Sequence, residues 1–584
     1  MQPSTLAKRA WPLFLLAALA FYLYGIGSLP FVGPDEPRYA QVAREMFMRG
    51  DMVTPTLGGH TWFEKPALLY WMLMASFKLF GVSEWAARLG PACAGLLTII
   101  AVYCLGRRVE RAARTDESKT AVDEAKRAEV DADAAEQSKT GVDEAKRAFD
   151  AKRIFAAREV GLWSALVLAS CSGMIIFSRA VSFDVIVTLT MTAALACFFV
   201  SELETIETRR RWLLAGFYAC VGASLLAKGL IGIVIPAGIV CLYLLLQRRW
   251  PSRRLMKSLL WGLPLAFVVA ALWYAPVIHR HGWTFVDEFI IQHHFARFAS
   301  NKYHHPGPFY YYLPAILILA LPWPVFLTGA LVKARHWNWR GADALSRFRL
   351  FALAWLVVPI AFFSLSGSKL PGYILPSLPA AAFLIGERLS RVVQGEGQAH
   401  AIRATGLLLV ALAAGGIFFA RGTGYITTGS AAFILAPLLI AGLFSVLTAR
   451  LRRVAALLTA GAPLLSIALA VYCLAGAVGQ RESTRELLQR AAARGLDTTP
   501  VCGLYVIERT AEFYAAGRLM RDASGEAQRF EGAAQVLEAA RQSGGAILVF
   551  VPIEGIPQLT DYKALDTDII GDNGTVALIY ARVK

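Results

Sequence analysis

Along the chain, long uncharged apolar runs alternate with short loops that carry arginine and lysine. The runs cover 11–30, 88–106, 160–178, 184–201, 212–227, 231–247, 259–278, 310–332, 348–364, 371–387, 404–420, 431–449 and 453–475. Runs of this kind are what a helix needs to cross the hydrocarbon core of a bilayer. The bilayer offers backbone groups no hydrogen-bond partner, so the runs must be helical. The pattern predicts about thirteen transmembrane helices. One further apolar stretch, 66–80, is short for a crossing and reads as a re-entrant or juxtamembrane helix within an outer-face loop, 31–87.

Basic residues set the orientation. With Lys8-Arg9 in the cytosol, alternation puts Arg107-Arg108, Arg209-Arg210-Arg211, Arg248-Arg249 with Arg253-Arg254, Lys333 with Arg335, Arg388 with Arg391, and Arg450 with Arg452-Arg453 in cytoplasmic loops. The N-terminus is then cytoplasmic and the C-terminus periplasmic. No small-residue cleavage site follows the first run, which reads as a retained span rather than a removed signal.

Two segments depart from the membrane pattern. Residues 118–128 recur as 138–148 with one change, Ala121 to Gly141, inside a stretch, 111–153, rich in Ala, Glu and Lys. This reads as a solvated cytoplasmic insert, dispensable for chemistry across the membrane. The tail, 480–584, regains soluble composition. Strands are expected at 501–507, 546–551 and 575–583, with amphipathic helices at 483–494 and 533–543. The chain thus divides into a transmembrane catalytic domain, 1–479, and a small periplasmic α/β domain, 480–584.

Composition agrees. The 584 residues are 56% hydrophobic and 17% charged, where soluble proteins carry about a quarter charged. The net charge of +17 sits largely in loops beside apolar runs, so it reports membrane orientation and not nucleic-acid binding. Of eight cysteines only Cys502 lies in the tail, which leaves no disulfide framework.

The expected topology sorts the unusual polar residues onto one face. Asp35, Glu36, Arg38, Glu64, Lys65, Asp184, Lys228, His293, His294, Arg297 and Lys369 all fall at outer helix ends or in outer loops. Ionisable groups beside hydrocarbon are expensive and tend to mark function. Asp35, with Pro37 just behind it, also has the pattern of a helix N-cap. Glu64-Lys65 fits either an interfacial ion pair or an anion site. The loop 279–308 is dense in histidine, in a spacing that matches no standard metal site. Ser366-Gly367-Ser368-Lys369 forms a polar hinge.

Pro34-Asp35-Glu36-Pro37-Arg38-Tyr39, Trp62-Phe63-Glu64-Lys65-Pro66, Ala227-Lys228-Gly229-Leu230, His294-Phe295-Ala296-Arg297-Phe298 and Lys369-Leu370-Pro371-Gly372-Tyr373-Ile374-Leu375-Pro376 occur in a consistent order. The chain resembles the lipid A aminoarabinose transferases, the undecaprenyl-phosphate-dependent branch of the protein O-mannosyltransferase-like superfamily. The resemblance covers nearly the whole chain outside 111–153 and is weakest in the tail. It implies a glycosyltransferase C fold in the bacterial inner membrane. It also implies transfer of 4-amino-4-deoxy-L-arabinose from undecaprenyl phosphate to a lipid A phosphate on the periplasmic face, which confers resistance to polymyxin and other cationic peptides.

On that resemblance, Lys65, Arg38, Arg297, Tyr373 and Lys369 meet the donor phosphate, and Asp35 and Asp184 are the paired acids. Glu64 and His294 hold a divalent metal, zinc or magnesium. Donor, acceptor and membrane lipids are the partners. The sequence departs from the family at Trp62, where relatives often have Tyr, at His293, where many have Glu, and at Gly372, where Thr is common. The alternative within enzymes is a related transferase, for example a mannosyltransferase, acting on protein or another glycan. A transporter would place ionisable groups at the membrane midplane between repeated halves, and a scaffold leaves the polar residues at 35, 65, 184 and 369 unexplained.

Overall fold

The structure is a computed structural model, and it describes residues 13, 16–18, 20–133, 159–296, 307–396, 399–423, 426–448, 450–523 and 525–584. Lys8-Arg9, the second copy of the repeat and Arg297 lie outside the described residues, as does part of the first expected span.

The chain runs through α1 (Asp35–Arg49), a short hairpin of β1 (Thr56–Leu57) and β2 (His60–Thr61), α2 (Leu68–Phe80) and α3 (Glu84–Asp133). Then come α4 (Val160–Ser170), α5 (Ser172–Ser178), α6 (Phe183–Leu203), α7 (Glu207–Lys228), α8 (Ile231–Leu246) and α9 (Arg253–Phe285). The membrane part closes with α10 (Tyr312–Leu319), α11 (Pro324–Lys333), α12 (Ala344–Ser364), α13 (Leu378–Val393), α14 (His400–Thr423), α15 (Thr428–Leu447) and α16 (Arg452–Glu482). Among the described residues, seven helices are long and apolar enough to cross a membrane, and an eighth crossing results if α4 and α5, bent by 61°, form one span.

Among the described residues, the thirteen expected runs therefore do not each form one continuous helix of crossing length. Apolar composition does not reveal where the backbone turns. The run 310–332 breaks into α10 and α11 at Leu321-Pro322, and Pro324 opens the second piece. The run 371–387 opens as a 3-10 turn, Pro371–Ser377, before α13. Gly229 ends α7 at positive φ, and α8 that follows has only 16 residues. Within the stretch 66–80 lies α2, a short apolar helix of 13 residues.

Packing follows the rule that helices in lipid approach through small residues. A Cβ at Gly106 would lie 2.5 Å from the Gly161 Cα, so α3 and α4 touch backbone to backbone there. α6 packs between α3 and α7, while α14, α15 and α16 form a separate group of neighbours. The long faces of α9 and α14 stay apolar and exposed, as lipid-facing surfaces should: Phe267, Val268, Leu272, Leu407 and Phe418 are all exposed.

The tail folds as a small mixed α/β domain. After α17 (Arg485–Ala493) come β3 (Val501–Leu504), α18 (Ala511–Tyr514), β4 (Arg529–Phe530), α19 (Ala533–Gln542), β5 (Ala546–Pro552), α20 (Ile556–Thr560), β6 (Leu565–Asp572) and β7 (Val576–Val583). The sheet order is β4-β3-β5-β7-β6. β3 lies parallel to β4 and β5, whereas β7 pairs antiparallel with β5 and β6. β5 is apolar throughout because both its faces are buried: Ile547, Val549 and Val551 on one, Leu548 and Phe550 on the other.

This domain packs against the 31–87 segment. The Phe31 N–H donates to the Tyr514 hydroxyl at 2.8 Å, and that hydroxyl donates to Glu84 at 2.9 Å. Phe31 and Phe513 stack edge to face with centroids 4.8 Å apart. The tail and the loop carrying Asp35 therefore share one end of the bundle.

Candidate active site

α1 starts at Asp35, but not with the cap the sequence suggests. Pro34 occupies the N-cap position, and no side chain caps the helix. Asp35 instead sits in the first turn, where the helix dipole favours a negative charge.

The neighbouring acid, Glu36, points inward. It accepts from Arg88 Nε at 2.8 Å and Nη2 at 2.7 Å, and from the Val181 N–H at 2.8 Å. Arg88 also donates to the carbonyls of Ile26, Leu29 and Pro30 and lies over the Phe31 ring. One buried ion pair thus ties the chain before α1, α1 itself, the start of α3 and the loop before α6. That loop leads through the Ser182 N-cap, whose hydroxyl accepts from the Asp184 N–H at 3.1 Å. The network fixes the two segments that present Asp35 and Asp184.

Asp35 remains exposed but is flanked by charge. Desolvation by the surrounding walls raises its pKa above the usual aspartate value, the Glu64 carboxylate adds to this, Lys65 and Arg38 oppose it, and Asp184 raises it further. Arg38, Glu64, Lys65 and Asp184 therefore all lie within electrostatic reach of Asp35. Tyr39 reports the same neighbourhood: its fully buried phenol is raised by desolvation first, then by Glu64 and Asp35. Arg38 stacks its guanidinium 5.3 Å from the Trp62 ring.

Lys65 donates to Glu64 at 2.9 Å, and both side chains are largely buried. Lys228 donates to Asp184, and the same ammonium lies 4.7 Å from the centroid of Tyr373. Gly372 makes that assembly possible, since a Cβ there would come within 2.1 Å of Asp184 Oδ2. A side chain at position 372 would have to displace the Asp184 carboxylate. Lys369 is buried at the hinge, and its ammonium donates to the Ser366 carbonyl at 2.5 Å. The adjacent Leu370 N–H donates to the Tyr312 hydroxyl at 3.3 Å.

Of the predicted residues, the structure brings Asp35, Arg38, Glu64, Lys65 and Asp184 together. It joins Tyr373 to Asp184 through Lys228, with Lys369 four residues from Tyr373. Arg297 lies outside the described residues, and so does the side chain of His294. Among the described residues no group of three His, Cys, Asp or Glu side chains is placed to hold a metal ion. Glu64 is paired with Lys65. Of the Glu64 and His294 pair that the resemblance implies as metal ligands, only the Glu64 side chain lies among the described residues.

Two relationships escaped sequence reasoning. Arg88 stood at the edge of an apolar run with no visible partner. The signal was present, because an arginine beside hydrocarbon calls for a buried acid. Lys228 and Asp184, 44 positions apart, showed no local sign of pairing.

The description dolichyl-phosphate-mannose-protein mannosyltransferase matches residues 64–115 and 148–286. ArnT from Cupriavidus metallidurans, solved bound to undecaprenyl phosphate, superposes with a TM-score of 0.74 at 22% identity over 98% of both chains. The fold is therefore an ArnT-like glycosyltransferase C membrane fold with a small C-terminal sheet domain. The undecaprenyl phosphate-α-4-amino-4-deoxy-L-arabinose arabinosyl transferase of Erwinia tasmaniensis is 31% identical over 404 residues, covering 68% of this chain and 62% of that protein. The protein of the same name from Aeromonas salmonicida is 32% identical over 413 residues, covering 68% and 63%. The chain belongs to this arabinosyl transferase family, within the protein mannosyltransferase-like superfamily. The matched part spans less than two thirds of those two relatives.

Proposed function

We propose that this protein transfers 4-amino-4-deoxy-L-arabinose from undecaprenyl phosphate to a phosphate of lipid A, at the periplasmic face of the bacterial inner membrane. The gathering of Asp35, Arg38, Glu64, Lys65 and Asp184 at one end of the helical bundle carries the reading. The family's printed activity and the undecaprenyl phosphate held by the similar ArnT support it.

In this mechanism an acceptor phosphate oxygen attacks the anomeric carbon. The bond from that carbon to the donor phosphate breaks, and its electron pair stays on undecaprenyl phosphate. Lys65 and Arg38 neutralise the charge that develops there, with Tyr373, Lys369 and Arg297 completing the phosphate site. The acceptor phosphate is already ionised and needs little help from a base. Asp35 therefore orients the acceptor or stabilises positive character at the anomeric carbon, and Asp184, held by Lys228, is the second acid. A single displacement inverts the anomeric carbon.

The test is mass spectrometry of lipid A from a strain lacking its own transferase and carrying this gene. Lipid A heavier by one aminoarabinose, with recovered polymyxin resistance, is expected. Unmodified lipid A beside a newly glycosylated protein would favour the alternative acceptor class.

A further inference from the structure

The opposite end of the bundle carries a second, separate concentration of charge. α11 ends there, α12 begins, α13 ends and α14 begins. The far end of α12 leads into the Ser366–Lys369 hinge, so this region lies one membrane thickness from the acids at 35 and 184. Between the four helix ends is a cavity of about 430 Å³. Lys333, His336, Arg349, Arg388, Arg391 and His400 line it, with Glu387 and Glu396 as the acids.

Four permanent cations thus face two carboxylates. Glu387 already accepts from both Arg349, at 2.7 Å, and Arg391. Arg388 donates to the Gly329 carbonyl across the helix pair. Arg349, Arg388 and Arg391 each also keep a buried Nε N–H with no acceptor among the described residues. Those three Nε atoms are closed off from the cavity, so its attraction for an anion rests on the excess of cations over carboxylates in its lining. A phosphate, with several strong acceptor oxygens, matches guanidinium donors.

The walls beside the cavity point to the source of that phosphate. Leu331 and Val332, immediately before Lys333, are exposed, and so is Leu407 two turns into α14. Those surfaces suit acyl chains running away from the headgroup. Basic pockets between transmembrane helices are known receptors for anionic headgroups. We propose that this cavity binds the phosphate of an anionic phospholipid, as a site separate from the transfer site and independent of its chemistry.

The test is native mass spectrometry of the full-length, delipidated protein titrated with phosphatidylglycerol or phosphatidylcholine of matched acyl chains. Phosphatidylglycerol should bind more tightly. Lys333→Gln, at an exposed helix end, should weaken it about fivefold, the effect of one surface cation. The double variant Arg388→Gln/Arg391→Gln should weaken it further, and if that variant does not fold, Lys333→Gln alone decides. Lys65→Ala should leave this binding unchanged. Equal affinity for the two lipids, or unchanged affinity in Lys333→Gln, would overturn the proposal. Loss of binding in Lys65→Ala with retention in Lys333→Gln would overturn it by moving the lipid to the other mouth. Displacement of the lipid by excess inorganic phosphate would overturn the lipid assignment in favour of a soluble anion.

Discussion

Arg88 grips Glu36 through two hydrogen bonds, 2.8 Å from Nε and 2.7 Å from Nη2, in a setting where both side chains are nearly inaccessible. The pair is remote from the reacting atoms, yet it holds the segments that carry Asp35 and Asp184. Breaking a buried ion pair by removing one partner leaves an uncompensated charge and costs about 3–5 kcal/mol. Arg88→Met should therefore lower the unfolding temperature of the detergent-purified protein sharply, and Glu36→Gln should do so less because it keeps hydrogen-bonding capacity. Thermal unfolding compared across the two variants is the check. Equal stability to the parent would mean the pair is not what fixes these segments.

Lys65 and Lys228 should both prove essential, for different reasons. Lys65→Ala removes a cation from the donor phosphate and should reduce turnover about 100–1,000-fold, with partial activity in Lys65→Arg. Lys228→Ala frees Asp184 from its partner and should also reduce turnover at least tenfold, chiefly in kcat. Near-parental turnover of Lys228→Ala would show that Asp184 needs no partner to hold its position.

Gly372→Thr drives a Cβ into Asp184, with a contact of 2.1 Å before relaxation. Overpacking of this kind typically costs about 1–3 kcal/mol. Transfer activity should fall while the fold persists. If the clash with Asp184 alone accounts for the loss of stability, Gly372→Thr should cost no further stability in an Asp184→Ala background, as read by thermal unfolding.

The pH dependence follows from Asp35. Desolvation and the Glu64 carboxylate hold its folded pKa above the unfolded value. The folded protein therefore binds this proton more tightly than the unfolded chain does. The stability it contributes is present below the unfolded pKa and is lost as pH rises through the folded pKa. Activity that needs the carboxylate runs the other way, rising with pH through that same raised value. The acid limb of the rate profile should lie above the usual aspartate range, and Asp35→Asn should abolish that limb together with most of the activity. An unshifted acid limb would remove Asp35 from the rate-determining ionisation.

The insert can be cut, with one restriction. The Ala344 N–H at the start of α12 donates to Asp116 at 2.9 Å, so the base of the insert helps to begin a membrane helix. Deleting 118–150 should leave transfer intact, whereas a deletion that takes Asp116 should lower stability. A reporter fused within the insert should be cytoplasmic and one fused after Lys584 periplasmic. The reverse pair of signals would invert the assigned orientation.

Much of this was legible in the amino-acid order. The apolar runs, the loops between them and the tail strands at 501–504, 546–552 and 576–583 follow from local composition and period. So does the clustering of unusual polar residues at one end, because alternation of spans sorts them by side. β6 is absent from the expected strands because Leu565-Asp566-Thr567-Asp568 carries two acids and no run of strand-forming apolar residues. It is an edge strand whose charges face outward, and pairing with β7 supplies what its own side chains do not. The number of continuous spans was not legible either, since prolines and glycines inside apolar runs divide helices without changing hydropathy. Only the tertiary structure could decide that Glu36 belongs to Arg88 and Asp184 to Lys228. Those pairings depend on which helix ends meet in space, and no local pattern along a chain encodes which distant charge will share a buried site.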